Sequence, residues 1–210
     1  QEGTSLNAAE KRRALPGNMP SIIEDLATHK IFNTENLLGF KNKRFAFQDR
    51  CAKILHQFYN GKITTIKPNE IKKTYLENQD MNNSSSVVHD IKRSFNLLYE
   101  ALKDKEPKLK QYSLLRLTFL INEMREEYNL NHFKNEFGEA YITFELARAK
   151  DSRIPDPEDR NSTLVEFSNH ARGDSLAGQE YLHKILKREI MKEMPELVRK
   201  DDQRNFSEIQ

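Results

Sequence analysis

One cysteine, no tryptophan, seven glycines and seven prolines in 210 residues set the first limits on this chain. The lone Cys51 excludes an internal disulfide framework and any zinc site built on cysteines. Its neighbours Phe47, Ile54, Leu55 and Phe58 place the thiol on the apolar face of a helix, with no histidine or acid at an activating spacing. So little glycine and proline leaves out the hairpin punctuation of an all-β protein. No apolar run is long enough to span a bilayer, and no signal-peptide pattern opens the chain. The expectation is a soluble, reducing, cytoplasmic setting with no membrane partner.

Catalytic motifs are lacking too. There is no GxxxxGK[ST] phosphate loop and no GxGxxG. The histidines (His29, His56, His89, His132, His170 and His183) form no i, i+4 pair and no cluster with carboxylates, and each is read as a surface or helix-end residue. Pro155-Asp156-Pro157-Glu158 resembles the acidic half of a nuclease site, but no lysine follows at the required spacing, which leaves a solvated loop. No catalytic residue, no metal ligand and no cofactor is assigned to this chain.

What is present is helix. Hydrophobic residues make up 37% and charged residues 31%, the balance of helices with wide solvated faces. Asn7 and Glu10 form a capping box, and the first helix runs to about Leu15, before Pro16-Gly17-Asn18. Pro20 opens a second helix through Ile22, Ile23 and Leu26 to His29, and one helical turn fits between Phe32 and Gly39. Phe47, Cys51, Ile54, Leu55 and Phe58 keep helical spacing up to Asn60-Gly61. Pro68 opens the next helix, with Ile71, Tyr75 and Leu76 inward. The polar stretch Gln79 to Ser86 is a loop and a candidate subdomain seam.

Three amphipathic helices follow, marked by Ile91, Phe95 and Leu98, by Leu117, Ile121 and Met124, and by Phe133, Phe137, Tyr141 and Phe144. The aromatic stripe of the third reads as core. After a proline-punctuated loop, Thr163 and Glu166 repeat the capping-box form, and a last helix covers Leu176 to Met194, ended or kinked by Pro195. The fold class is all-α, a multi-helix bundle of about seven to nine helices in one helical domain.

Net charge is only +2, but its distribution is uneven. Between Lys41 and Lys62 stand six lysines or arginines against one acid, Asp49. Lys41, Lys43, Arg44, Arg50 and Lys53, interleaved with Phe40, Phe45 and Phe47, are candidates for phosphate contacts to nucleic acid. A solvated helix face with its aromatics turned inward is the other reading of the same segment. Arg44 and Asp49 are five apart, off the spacing of a helical pair, so each is expected to find a tertiary partner.

Two segments resemble a known family. QEGTSLNAAEKRRA is similar to the phrase "RLN-TGGTPLNPQELRNA" that follows the ParB/sulfiredoxin-like domain of GmrS-type restriction proteins, with Gly3, Thr4, Leu6, Asn7, Glu10, Arg12 and Ala14 matching in order. LLGFKNKRFAFQDRCAKIL is similar to the family's "LLGFKNKRMKDQELVLRFL": Leu37 to Arg44 and Gln48 match, and Asp49 replaces the usual Glu. The resemblance is specific over the first quarter of the chain and thin beyond it.

The resemblance implies a bacterial or archaeal anti-phage defence protein that restricts foreign DNA. Its N-terminal domain would bind and hydrolyse nucleotide with a divalent metal through a DGQQR motif, and many members end in an HNH nuclease. This chain contains neither DGQQR nor an HNH motif. It is expected to be the helical middle of a longer protein, with the ending RKDDQRNFSEIQ resembling the approach to an HNH domain. Its partners would be DNA and the flanking nucleotide and nuclease domains. The resemblance also implies that Gly3, Thr4, Glu10 and Arg12 border the nucleotide pocket. Otherwise Glu10 only caps its helix and Arg12 pairs with a neighbouring acid. A non-enzymatic helical module that binds nucleic acid or a protein partner is the alternative function.

Overall fold

Caps written into the sequence begin many of the helices. The Asn7 side chain accepts a hydrogen bond from the Glu10 amide at 2.9 Å, and the Glu10 carboxylate accepts one from the Asn7 amide at 2.7 Å, opening α1 (Ala8–Arg13). Pro20 lies in the first turn of α2 (Met19–Ala27). That helix ends short of His29 because the His29 ring accepts from the Ile31 amide and starts α3 (Lys30–Asn33). α4 (Ala46–Asn60) ends on Gly61, whose φ of 62° is a left-handed cap that suits glycine. Pro68 opens α5 (Pro68–Glu77), and Ser85 caps α6 (Ser86–Leu102). α7 (Gln111–Glu127) and α8 (Lys134–Asp151) follow. Asn161, not Thr163, caps α9 (Ser162–His170): its side chain accepts from the Leu164 amide, and Thr163 already lies in the helix. Ser175 caps α10 (Leu176–Lys192), which stops before Pro195.

The computed structural model describes residues 5–171 and 173–197. Among these the chain is an all-α bundle of ten helices with no strand, joined by one isolated bridge between Leu38 and Leu109. Eight of the ten are seven residues or longer, within the seven to nine read from periodicity; α1 and α3, of six and four residues, are the short ones. No helix is long and apolar enough to cross a membrane among the described residues.

α4 is the centre of the bundle. Every residue from Cys51 to Phe58 is buried, and α1, α2, α5, α6 and α7 all pack on it. α6 lies along α7 and α8, while α10 covers α7 and α8 and carries α9. Residues on both sides of the 79–86 stretch belong to one apolar cluster, with Phe95, Phe137, Tyr141 and Phe167 among its largest members. Each such side chain contributes roughly 1.5–3 kcal/mol by leaving water.

Two readings of single residues need correction. Leu76 is 43% exposed, not inward, because Thr74 and Tyr75 take the buried face of α5 and the next residue is turned about 100° away. His56 is buried, not at a surface or a helix end. Its Nε2 meets the Thr65 carbonyl at 3.1 Å and its Nδ1 meets the Thr74 hydroxyl at 2.7 Å. Since a carbonyl only accepts, Nε2 carries the proton and Nδ1 accepts from Thr74. Burial lowers the His56 pKa and keeps the ring neutral.

Two consequences are measurable. A Cβ added at Gly138 would lie 2.1 Å from the Ala101 carbonyl oxygen, so α6 and α8 touch backbone to backbone there. Gly138→Ala should therefore cost about 2 kcal/mol or more in urea denaturation, although alanine favours helices by about 1 kcal/mol. Glu123 on α7 faces His183 at 2.7 Å, and Lys187 on α10 pairs with the same carboxylate. The His183 hydrogen bond, then the Lys187 contact, outweighs the opposing burial and holds the Glu123 pKa down at about 2. A depressed carboxylate pKa adds stability above its unfolded value of about 4.3, lost as pH falls toward 2. Urea midpoints measured across that window should decline less steeply in Glu123→Gln than in the parent.

Candidate functional site

α1 crosses the start of α4, and there Glu10 and Arg12 meet Arg44 and Asp49. The chain enters α4 through Arg44 and Phe45, both left-handed, with φ of 49° and 63°. Neither residue type favours that region, and each costs roughly 1–2 kcal/mol there. The surroundings hold them in place. The Arg44 guanidinium forks onto the Glu10 carboxylate, Nε to Oε1 at 3.0 Å and Nη2 to Oε2 at 2.7 Å, and Nη2 also donates to the Ser5 carbonyl. The Asn7 side chain donates to the Arg44 carbonyl, and Arg13 sits 4.1 Å above the Phe45 ring. Asn42 accepts from the Phe47 amide and so caps α4 from outside the turn. Glu10 thus closes its own helix and clamps Arg44. The Arg44 hydrogen bond first, then that from the Asn7 amide, holds its carboxyl below the usual range.

One turn further along α4, Asp49 gathers three cations. Arg12 reaches it from α1 at 2.5 Å, and Arg50 and Lys53 reach it from α4 at 3.2 and 3.3 Å. Burial by itself would raise the Asp49 pKa, but Lys53, Arg50 and Arg12 together outweigh it and lower it. Lys53, only 8% exposed, extends the network to Asp174 at 3.5 Å, in the segment between α9 and α10. Arg44 and Asp49 each have the tertiary partner expected of them, on α1, and Asp49 has local ones as well.

Of the candidates for nucleic-acid contact, Arg44, Arg50 and Lys53 are therefore engaged with carboxylates of the same chain. Lys41 and Lys43 are exposed beside the left-handed turn. Of the candidates for the nucleotide pocket, Glu10 and Arg12 are engaged as described, while Gly3 and Thr4 lie outside the described residues. So does the segment RKDDQRNFSEIQ. No group of three histidines, cysteines or acids able to hold a metal occurs among the described residues.

Behind the Asp49 network lies a cavity of about 300 Å³, lined by Arg50, Lys53, Arg116, Asp174 and Gln179 with Tyr112, Leu115 and Leu182. Sequence reasoning passed over Arg116 and Gln179. A signal for Arg116 existed: it interrupts an otherwise apolar run, Leu114-Leu115-Arg116-Leu117, where a helix buried on several faces has no solvent side for a cation. Comparison of the chain with protein-family models, with curated proteins and with solved structures finds no match.

The Asp49 network makes a prediction of its own. Asp49→Asn strands Arg12, Arg50 and Lys53 without their shared charge and should cost about 2–3 kcal/mol in urea denaturation at pH 7. The gap between variant and parent should narrow below about pH 4, as the parent's carboxylate takes up its proton.

Proposed function

We propose that this chain is the helical coupling region of a nucleotide-dependent, DNA-targeting restriction or anti-phage defence protein of the bacterial or archaeal cytoplasm. It stands between an N-terminal nucleotide-binding domain and a C-terminal nuclease. One observation supports this reading above others. The two segments that resemble GmrS-type proteins, 37 residues apart in sequence at Arg12 and Asp49, are bound to each other by Glu10–Arg44 and Arg12–Asp49. A connector that passes a domain's movement onward has to be stiff where it begins, and paired guanidinium–carboxylate contacts provide that stiffness.

In this reading Gly3, Thr4, Glu10 and Arg12 border the nucleotide pocket of the preceding domain, which holds the nucleotide and its divalent metal. Glu10 and Arg12 act there by fixing the angle at which α1 leaves α4. Hydrolysis and DNA cleavage belong to the flanking domains. The exposed pair Lys41 and Lys43, on a turn held rigid by Glu10, favours direct contact with DNA phosphates. The same pair also fits the second reading, a non-enzymatic module that binds nucleic acid or a partner protein.

Two experiments test the proposal. In the full-length protein, Arg12→Ala and Glu10→Gln should impair nucleotide turnover while the circular dichroism spectrum stays helical; the Gln variant keeps the capping box but loses the charge that clamps Arg44. Normal turnover in both would remove the coupling role. In the DNA test, Lys41→Glu with Lys43→Glu should lower the slope of log affinity against log salt by about 0.9 for each phosphate that the variant no longer neutralises. An unchanged slope with intact folding would leave these lysines as solvated surface.

A further inference from the structure

Arg116 is the most deeply buried cation described, with 0% of its surface exposed, and it lines the cavity behind the Asp49 network. Its Nη2 donates to the Gln57 side chain at 2.5 Å, while Nε and Nη1 have no hydrogen-bond partner among the described residues. No carboxylate pairs with it among the described residues, and burial alone pushes its pKa down to about 9, which still leaves it charged at neutral pH. A desolvated guanidinium with two idle donors and no counter-ion is among the costliest arrangements a core can hold. Lys53 offers the contrast, buried almost as deeply yet placed between two carboxylates.

The rest of the cavity has the same bias. Arg50 also lines it, with a buried Nε that lacks a partner among the described residues. Among the described residues that line it, Arg50, Lys53 and Arg116 stand against Asp174, a surplus of two positive charges. Gln179 is buried and gives its amide NH₂ to the Gly173 carbonyl at 2.6 Å, and its Oε1 has no donor among the described residues. Ile66, Leu115, Ala171 and Leu182 give the wall its apolar surface, beside Gln111 and Tyr112.

We infer that this cavity binds a small organic phosphomonoester. The doubly charged phosphate would balance the two surplus positive charges, accepting from Arg116 and Arg50. A hydroxyl on its organic part would donate to Gln179 Oε1, with the carbon skeleton against Leu115 and Leu182. A bare inorganic ion would leave most of a 300 Å³ cavity unfilled, whereas that volume is the lower end of what small-molecule sites occupy. The site is independent of the coupling role proposed above, since it uses neither Lys41 nor Lys43 and needs no flanking domain.

The test is a thermal unfolding series on the 210-residue chain with glucose 6-phosphate as the probe, and with glucose, inorganic phosphate and succinate as controls. At a hundredfold excess over Kd, glucose 6-phosphate should raise Tm by about 5–10 °C, with glucose and succinate inactive and inorganic phosphate weaker. Arg116→Met should weaken binding by about 10- to 100-fold. Gln179→Glu, which leaves Arg116 in place and keeps the test open if Arg116→Met does not fold, should weaken it by about tenfold through charge repulsion. No shift with glucose 6-phosphate at millimolar concentration, or equal shifts in the parent and both variants, would overturn the inference. An equal shift with inorganic phosphate would overturn its organic part. Tighter binding of a 5′-phosphorylated oligonucleotide than of glucose 6-phosphate would overturn the small-molecule part.

Discussion

A single carboxylate lets a basic helix occupy the middle of this protein. α4 carries Arg50 and Lys53, receives Arg12 from α1, and is surrounded by five other helices, so its cations cannot all turn to water. Asp49 answers three of them at once, and the low dielectric that makes an unpaired charge expensive strengthens each of those contacts. Were Asp49 neutral, Arg12, Arg50 and Lys53 would lose the charge they share, while Cys51, Ile54 and Leu55 stayed in the core that α2, α6 and α7 build on them. The join between α1 and the start of α4 thus rests on one electrostatic centre.

Much of the architecture was legible because helices advertise themselves by period. The stripe Phe137, Tyr141 and Phe144 and the spacing of Phe47, Cys51, Ile54 and Phe58 describe buried faces that the structure contains. Legibility fails where burial comes from distant parts of the chain. Lys53 reads as part of a basic surface until the segment around Asp174, more than a hundred residues later, closes over it. His56 likewise looks like any helix-face histidine until Thr65 and Thr74 cover it. Position in sequence says which face of a helix a residue occupies, but not whether that face meets solvent.

The charged junction shows the same division. The separation of Arg44 and Asp49 is off the spacing of a helical pair, and that points each of them to a tertiary partner. Their partners, Glu10 and Arg12, lie on α1, 34 and 37 residues away in sequence, so the two segments depend on one another. What no local rule indicates is the backbone that brings them together, with two consecutive left-handed residues that are not glycine. Such a turn survives only where its surroundings over-determine it, and here Glu10, Asn7, Arg13 and Asn42 do so together.

That turn also fixes chain length. Glu10 grips Arg44 just before α4 begins, and Arg12, two residues after Glu10, grips Asp49 just after it begins. The two grips act as a ruler laid across the helix start. One residue inserted between Phe45 and Asp49 would turn everything beyond it by about 100° and advance it about 1.5 Å. Asp49 would swing away from Arg12 while Arg44 stayed held. Substitutions in this stretch can be absorbed by neighbouring side chains, but insertions and deletions cannot, so chains that share this junction should vary here in composition and not in spacing.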